Sequence, residues 1–199
     1  MNTQVDARGM ACPKPVIMTK KELDKIEKGD ITTIVDNEVA KENVSKLASG
    51  LGLTYSVDKK SDNEFYIHIM KGEETLGEKD EKELDNFKDL TIAISSDIMG
   101  KGEEELGKIL MKSFIYTVRE TSPYPSCIVF YNRGVFLTAQ DSPVLDDLIV
   151  LASKGVEILS CGTCLDYYHL NDKLGVGSIS NMYTIYDKLS NAKNNITIG

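Results

Sequence analysis

Along residues 1–70 the apolar positions switch back and forth between the two-residue period of strands and the 3.6-residue period of helices. Val5 lies in a short extended stretch, and Val16, Leu23 and Ile26 then recur at helical spacing. The β-branched run "ITTIV" at 31–35 reads as a strand. From Glu38 to Leu51 the apolar set Ala40, Val44, Leu47, Ala48 and Leu51 marks one face of a helix. Leu53, Tyr55 and Val57, then Phe65, Ile67 and Ile69, alternate with other side chains across the turn-forming "KKSDNE", which predicts a hairpin. The order is βαβαββ, a small sheet with both helices on one face.

Residues 71–88 are mostly charged and predict a linker. Beyond it the alternation restarts, so the domains expected are 1–70 and 89–199. "DLTIAIS" at 89–95 predicts a strand, Glu103 to Arg119 a long helix, "SCIVFY" at 126–131 a strand and "GVFLTA" an extended segment. A helix from Val144 to Lys154, the strand "VEILS" at 156–160, a helix from Met182 to Leu189 and the terminal "NITI" complete the pattern. Strands alternating with helices imply an α/β fold with a parallel, doubly wound sheet.

Composition narrows the function classes. No apolar run approaches the roughly 20 residues of a membrane span, and the N-terminus lacks the basic-then-apolar order of a secretory signal, so the expected address is cytoplasmic. Four cysteines there read as reduced thiols, catalytic or buried, rather than a disulfide framework. A formal charge of −8 argues against broad nucleic-acid binding, with Lys14, Lys20 and Lys21 as local exceptions.

The segment "RGMACPKPVIMTKKEL" puts Cys12 where a helix should begin. Proline is tolerated at the first helical position, so Pro13 marks the start and makes Cys12 the N-cap. Unpaired amides and the helix dipole there favour an anion, which would stabilise a Cys12 thiolate, and Lys14 would act in the same direction. Pro15 stiffens the first turn. A buried, inert cysteine is the ordinary alternative; the flanking prolines weigh against it.

"VDARGMACPKPVIMTKKEL" resembles the signature of TusA-like (SirA-like) sulfur-carrier domains: an Asp, an Arg-Gly pair, then Cys-Pro-x-Pro opening a helix. The resemblance covers about residues 3–70 and implies a two-layer α/β sandwich in which Cys12 accepts sulfur as a persulfide. It further implies that Asp6, Arg8 and Gly9 shape the preceding turn and that Pro13 and Pro15 position the thiol.

"VEILSCGTCLDYYHL" puts Cys161 just after a predicted parallel strand, with Gly162 allowing a tight turn and Cys164 beginning the next segment. Reactive groups gather at the carboxyl ends of such strands. Two thiols at this spacing can close a disulfide, or one can resolve an adduct on the other. Zinc would need two ligands beyond the cysteines; His169 could supply the third of four, but no second C-x-x-C exists. A thioredoxin-like site is disfavoured because that motif belongs near the first βα unit. Burial of both cysteines stays open. "FYNRGVFLT", "PVLDDLIVLASKG" and "CGTCLDYY" resemble a DsrE-like domain over about 90–199, which implies a flavodoxin-like sheet and sulfur handling. A TusA-like domain followed by a DsrE-like domain with CGTC resembles the YedF-type "sulfurtransferase-like selenium metabolism" family.

Other features carry less. In "DIMGKGEEELG" the Gly-x-Gly is loop punctuation rather than a nucleotide loop, since Glu103, Glu104 and Glu105 would repel a phosphate and no Gly-Lys-Ser/Thr follows. Cys127 reads as core. Strand alternation sets His68 with Tyr66 and Met70 on the sheet face away from the helices, either a solvated face or an interaction surface. Asn132, Arg133 and Gly134 form a turn in which Arg133 is solvated or binds an anion. Tyr167, Tyr168 and His169 line a pocket beside the cysteines or pack the next segment.

The sequence therefore leads to a chalcogen-transfer protein with Cys12, Cys161 and Cys164 as its reacting residues, supported by Asp6, Arg8, Gly9, Pro13, Pro15 and Gly162. No cofactor or metal is expected. The resemblance implies a pyridoxal-phosphate cysteine desulfurase or a selenocysteine lyase as donor, and a selenophosphate-making enzyme or another thiol acceptor as recipient. Self-association is open by analogy. The alternative is a non-catalytic, redox-responsive adaptor that docks the donor enzyme.

Overall fold

The computed structural model describes residues 2–11, 13–72 and 87–199; Cys12 and most of the expected linker, 73–86, lie outside the described residues. The chain divides into two compact units, Met1–Lys82 and Glu83–Gly199. Among the described residues no helix is long and apolar enough to cross a membrane.

In the first unit, β1 (Asn2–Asp6), α1 (Lys14–Lys25), β2 (Gly29–Val35), α2 (Glu38–Gly50), β3 (Thr54–Ser61) and β4 (Glu64–Lys71) follow the βαβαββ order. The sheet order is β1-β2-β4-β3, with β1 parallel to β2 and the other pairs antiparallel. Alternation decides which side chains enter the core: Ile31 and Val35 of β2 and Phe65, Ile67 and Ile69 of β4 point the same way. They meet Leu23 of α1 and Ala40, Val44 and Ala48 of α2, the last three spaced one helical turn apart. Burying each large side chain of this set contributes about 1.5–3 kcal/mol. Thr19 and Thr33 enter the same layer and satisfy one another, Oγ1 to Oγ1 at 2.9 Å.

Helix ends are tied by specific groups. Asn37 caps α2, its Oδ1 accepting from the Ala40 N–H at 2.8 Å. Lys71 Nζ donates to the carbonyls of Leu23 (2.9 Å) and Ile26 (2.7 Å) at the end of α1, where a cation complements the helix dipole.

In the second unit the elements are β5 (Phe87–Ile94), α3 (Glu104–Glu120), β6 (Tyr124–Phe130), a 3-10 segment (Asn132–Thr138), α4 (Leu145–Ser153), β7 (Glu157–Cys161), α5 (Gly162–Tyr167), a second 3-10 turn (Asn171–Lys173), β8 (Ser178–Ser180), α6 (Met182–Asn191) and β9 (Asn194–Ile198). All strands are parallel, in the order β8-β7-β6-β5-β9. The mixed sandwich and the flavodoxin-like parallel sheet are thus both present. One face, through Ile92, Ile94, Ile128, Phe130 and Ile158, packs on α3, α4 and α5. The alternate residues Ala93, Cys127, Val129, Leu159 and Cys161 face α6 through Ile185.

The structure differs from the sequence reading at several points. Phe87 and Lys88, expected in the linker, already belong to β5. The "GVFLTA" segment is 3-10 rather than extended: Val135, Leu137 and Ala139 dip into the core while Thr138 Oγ1 donates to the Val135 carbonyl at 2.9 Å. This turn passes so close to β5 that a Cβ on Gly134 would lie 2.2 Å from the Ile94 carbonyl oxygen. Strand β8 escaped notice because Ser-Ile-Ser offers one apolar residue. Finally, α1 starts one residue later than expected, with Pro13 as its cap residue and Pro15 in its first turn.

Candidate functional site

In the first unit the loop after β1 is fixed at several points. Ala7 is fully buried and its N–H donates to the Ile34 carbonyl at 2.9 Å. Arg8 grips Asp6 with two parallel bonds, Nε to Oδ1 at 2.9 Å and Nη2 to Oδ2 at 2.6 Å, and comes within 3.6 Å of Glu64. This guanidinium holds the Asp6 carboxyl down at about 2, and the Asp6 carboxylate in turn raises the Arg8 pKa. Gly9 adopts φ +72, a left-handed conformation that favours glycine. Its N–H donates to Asp36 Oδ2 at 2.6 Å, which lowers the Asp36 pKa and ties the loop to the residue preceding the α2 cap.

Asp6, Arg8 and Gly9 therefore form one brace for the turn that leads to Met10, Ala11 and the start of α1. Pro13 and Pro15 bracket that start; Pro15 is buried, and its carbonyl accepts from Thr19 Oγ1 at 2.8 Å. The anion-stabilising argument needs one revision. Pro13 and Pro15 have no N–H and the Lys14 N–H donates to the Ala11 carbonyl at 3.1 Å, so the first turn offers fewer free amides than expected, and the cap position belongs to Pro13. Beside the loop a small cavity of about 110 Å3 opens between Met10, Pro15 and Val16 on one side and Val39, Ala40 and Asn43 on the other.

In the second unit the two cysteines lie at the carboxyl edge of the parallel sheet. Cys161 is the last residue of β7 and caps α5; Gly162 opens that helix, tucked against Ile179 and the Ser180 carbonyl. Cys161 is 3% exposed and Cys164 half-buried, and both thiols are free. The two thiols are close enough for Cys161 to act on the titration of Cys164. Burial raises the Cys164 pKa and the neighbouring Cys161 adds to the rise, while the Asn132 N–H, donating to Cys164 Sγ at 3.0 Å, opposes it. Cys127 is core, 2% exposed, and burial pushes its thiol up to about 12.

Sequence reasoning missed the support of Cys164. Asn132, at φ +49 two residues past the end of β6, is the donor; Tyr168 Oη donates to its Oδ1 at 2.9 Å, and Tyr168 packs on Phe136 with ring centroids 4.9 Å apart. Arg133 is exposed to solvent at its turn, and its guanidinium is paired rather than open to an anion: it forms two 2.8 Å bonds to Asp97 after β5 and lies over the Phe136 ring. The signal available was an asparagine, tolerant of left-handed backbone, just past a buried strand. Of the Tyr-Tyr-His cluster, Tyr168 reaches the site, whereas Tyr167 is 77% exposed. Among the described residues no three His, Cys, Asp or Glu side chains converge on a common point, so His169 does not complete a ligand set with the cysteines. His68 sits on the face away from the helices as expected, bonded through Nδ1 to Thr32 Oγ1 at 3.0 Å.

Residues 3–71 match the family described as sulfurtransferase TusA. Over 69 residues the chain is 33% identical to "Putative sulfur carrier protein MJ0990" of Methanocaldococcus jannaschii, covering 34% of this chain and 92% of that protein. Solved structures with similarity include the SirA-like protein from Desulfitobacterium hafniense (34% identity, 36% of this chain, 99% of that one, TM-score 0.34). For the ychN protein from E. coli the corresponding values are 13%, 56%, 99% and 0.45. For a protein of unknown function from Methanobacterium thermoautotrophicum they are 21%, 54%, 96% and 0.42. Through its first unit the chain belongs to the TusA family of sulfur carriers.

Proposed function

We propose that the protein carries a sulfur or selenium atom on Cys12 and discharges it through Cys161 and Cys164. The observation that carries this reading is the family match over 3–71, which contains Cys12-Pro13-Lys14-Pro15 and the braced Asp6–Arg8–Gly9 turn before it. The Cys12 thiolate attacks the outer chalcogen of a donor persulfide. The donor S–S bond (S–Se for selenium) breaks, the donor thiolate leaves, and Cys12 holds the outer atom. The donor proposed is a cysteine desulfurase or selenocysteine lyase.

Cys164 then attacks that outer atom and Cys12 leaves as a thiolate. Cys161, the neighbour of Cys164, attacks Cys164 Sγ; the new disulfide forms and hydrogen sulfide or selenide departs to an acceptor such as a selenophosphate-making enzyme. An external dithiol reduces the disulfide for the next round. The resemblance of residues 90–199 to DsrE-like domains, and of the whole chain to the YedF-type family, supports the sulfur role of the second unit and the selenium assignment.

A second reading has its own support. The thiols of the pair are buried or half-buried and the Cys164 pKa is raised, which suits a redox-responsive adaptor whose disulfide state is read by a partner. Intact-mass spectrometry separates the two after incubation with a cysteine desulfurase and cysteine, or a selenocysteine lyase and selenocysteine. Transfer predicts that Cys12→Ser abolishes loading, whereas Cys161→Ser and Cys164→Ser leave Cys12 loading intact and slow release. Normal release in both serine variants would remove the pair from the transfer route and favour the adaptor.

A further inference from the structure

The second unit contains a cavity of about 340 Å3 that the transfer scheme does not use. That volume falls at the small end of ordinary ligand sites, and its place beyond the carboxyl ends of β5 and β6 is where open parallel sheets bind ligands. Met111 of α3, Phe136, Leu137, Val144 and Leu170 give it an apolar lining. Lys108, Lys112 and Lys173 stand around it with Asp97 and Asp141.

These charges are not equivalent. Lys108 is paired with Glu104 at 2.6 Å and Asp97 with Arg133 at 2.8 Å. Lys112, Lys173 and Asp141 have no ion-pair partner among the described residues. Two uncompensated positive charges against one negative leave the rim locally cationic on a chain of formal charge −8. A single net positive charge suits a monoanion. Among the described residues no free arginine fork lines the cavity, as bidentate capture of a phosphate would favour, and the nearby Arg133 guanidinium is committed to Asp97.

We propose that this cavity binds a small carboxylate with an apolar body, the carboxylate held by Lys112 and Lys173 and the body seated on Met111, Phe136 and Leu137. The site shares two residues with the support of Cys164. Phe136 packs on Tyr168, which bonds Asn132, and Asp97 holds Arg133, so occupancy reaches the Asn132 amide that donates to Cys164 Sγ. The proposal stands apart from the transfer reading, and either can fail alone.

The test is a backbone-amide NMR titration of the full chain with phenylacetate and with hexanoate, with benzylamine and benzyl alcohol as controls. Saturable shifts at Leu137, Val144 and Leu170, extending to Asn132, are expected for the carboxylates. The double variant Lys112→Ala, Lys173→Ala should bind about tenfold more weakly or worse. Both lysines are exposed, so the variant should fold, and unchanged amide signals outside the cavity check this. The proposal is overturned if neither carboxylate moves the cavity amides, if benzylamine binds as tightly, or if the double variant binds like the wild type.

Discussion

The backbone N–H of Asn132 donates to the sulfur of Cys164 at 3.0 Å, across the gap between the carboxyl ends of two neighbouring parallel strands. This bond favours the thiolate, yet burial and the adjacent Cys161 outweigh it, so the Cys164 pKa is raised. Cys161→Ala removes one of the two raising contributions and keeps the Asn132 bond. The pH midpoint for Cys164 alkylation should therefore fall in Cys161→Ala relative to the wild type, read by mass-resolved alkylation across pH. A midpoint that rises or stays fixed would show that Cys161 does not raise the Cys164 pKa.

The Asp6–Arg8 pair gives a stability signature with a defined sign. Asp6 has a folded pKa of about 2, below its unfolded value of about 3.9, so its contribution is complete above the latter and is lost as pH falls through the former. The wild type should melt higher than Asp6→Asn by a constant margin above about pH 4, and the margin should close toward about pH 2. Scanning calorimetry of both proteins over that range is the check. Because the pair is exposed, the margin is small.

Two glycines should respond to alanine for different reasons. A Cβ on Gly9 would meet open space, but φ is +72, so Gly9→Ala should cost about 1–2 kcal/mol of stability from backbone strain alone. Gly134 has no such strain, but its added Cβ would strike the Ile94 carbonyl at 2.2 Å, which requires β5 or the 3-10 segment to shift. Gly134→Ala should therefore destabilise by more than Gly9→Ala, beyond about 2 kcal/mol. Denaturant unfolding of the two variants orders them; the reverse order would contradict the packing described at Gly134.

The architecture was legible where one apolar face repeats over several turns. Ala40, Val44 and Ala48 announce α2, and Phe65, Ile67 and Ile69 announce β4, because periodic burial alone determines both. The location of Cys161 at a strand end was likewise readable from "VEILS" before it and Gly162 after it. What stayed hidden depends on contacts distant in sequence. Asn132 meets Cys164 across 32 residues, Arg133 meets Asp97 across 36, and Gly9 meets Asp36 across 27, and no local pattern encodes such pairings. The 3-10 segment was misread for a related reason: Val135, Leu137 and Ala139 alternate as in a strand, and the close approach to Ile94 that bends them lies outside the segment. The start of α1, expected at Pro13, falls at Lys14 because Pro13 itself takes the cap position, a one-residue difference that the proline's preference for a helix beginning does not resolve.

The most direct test of the central claim is to identify which thiol is loaded first. The full chain is incubated briefly with a cysteine desulfurase and cysteine, quenched with an alkylating agent, digested and mapped by mass spectrometry. Carriage on Cys12 predicts that the earliest added sulfur resides on the peptide containing Cys12, and that Cys12→Ser shows no early adduct on any peptide. An early adduct on the Cys161–Cys164 peptide that persists in Cys12→Ser would contradict the account.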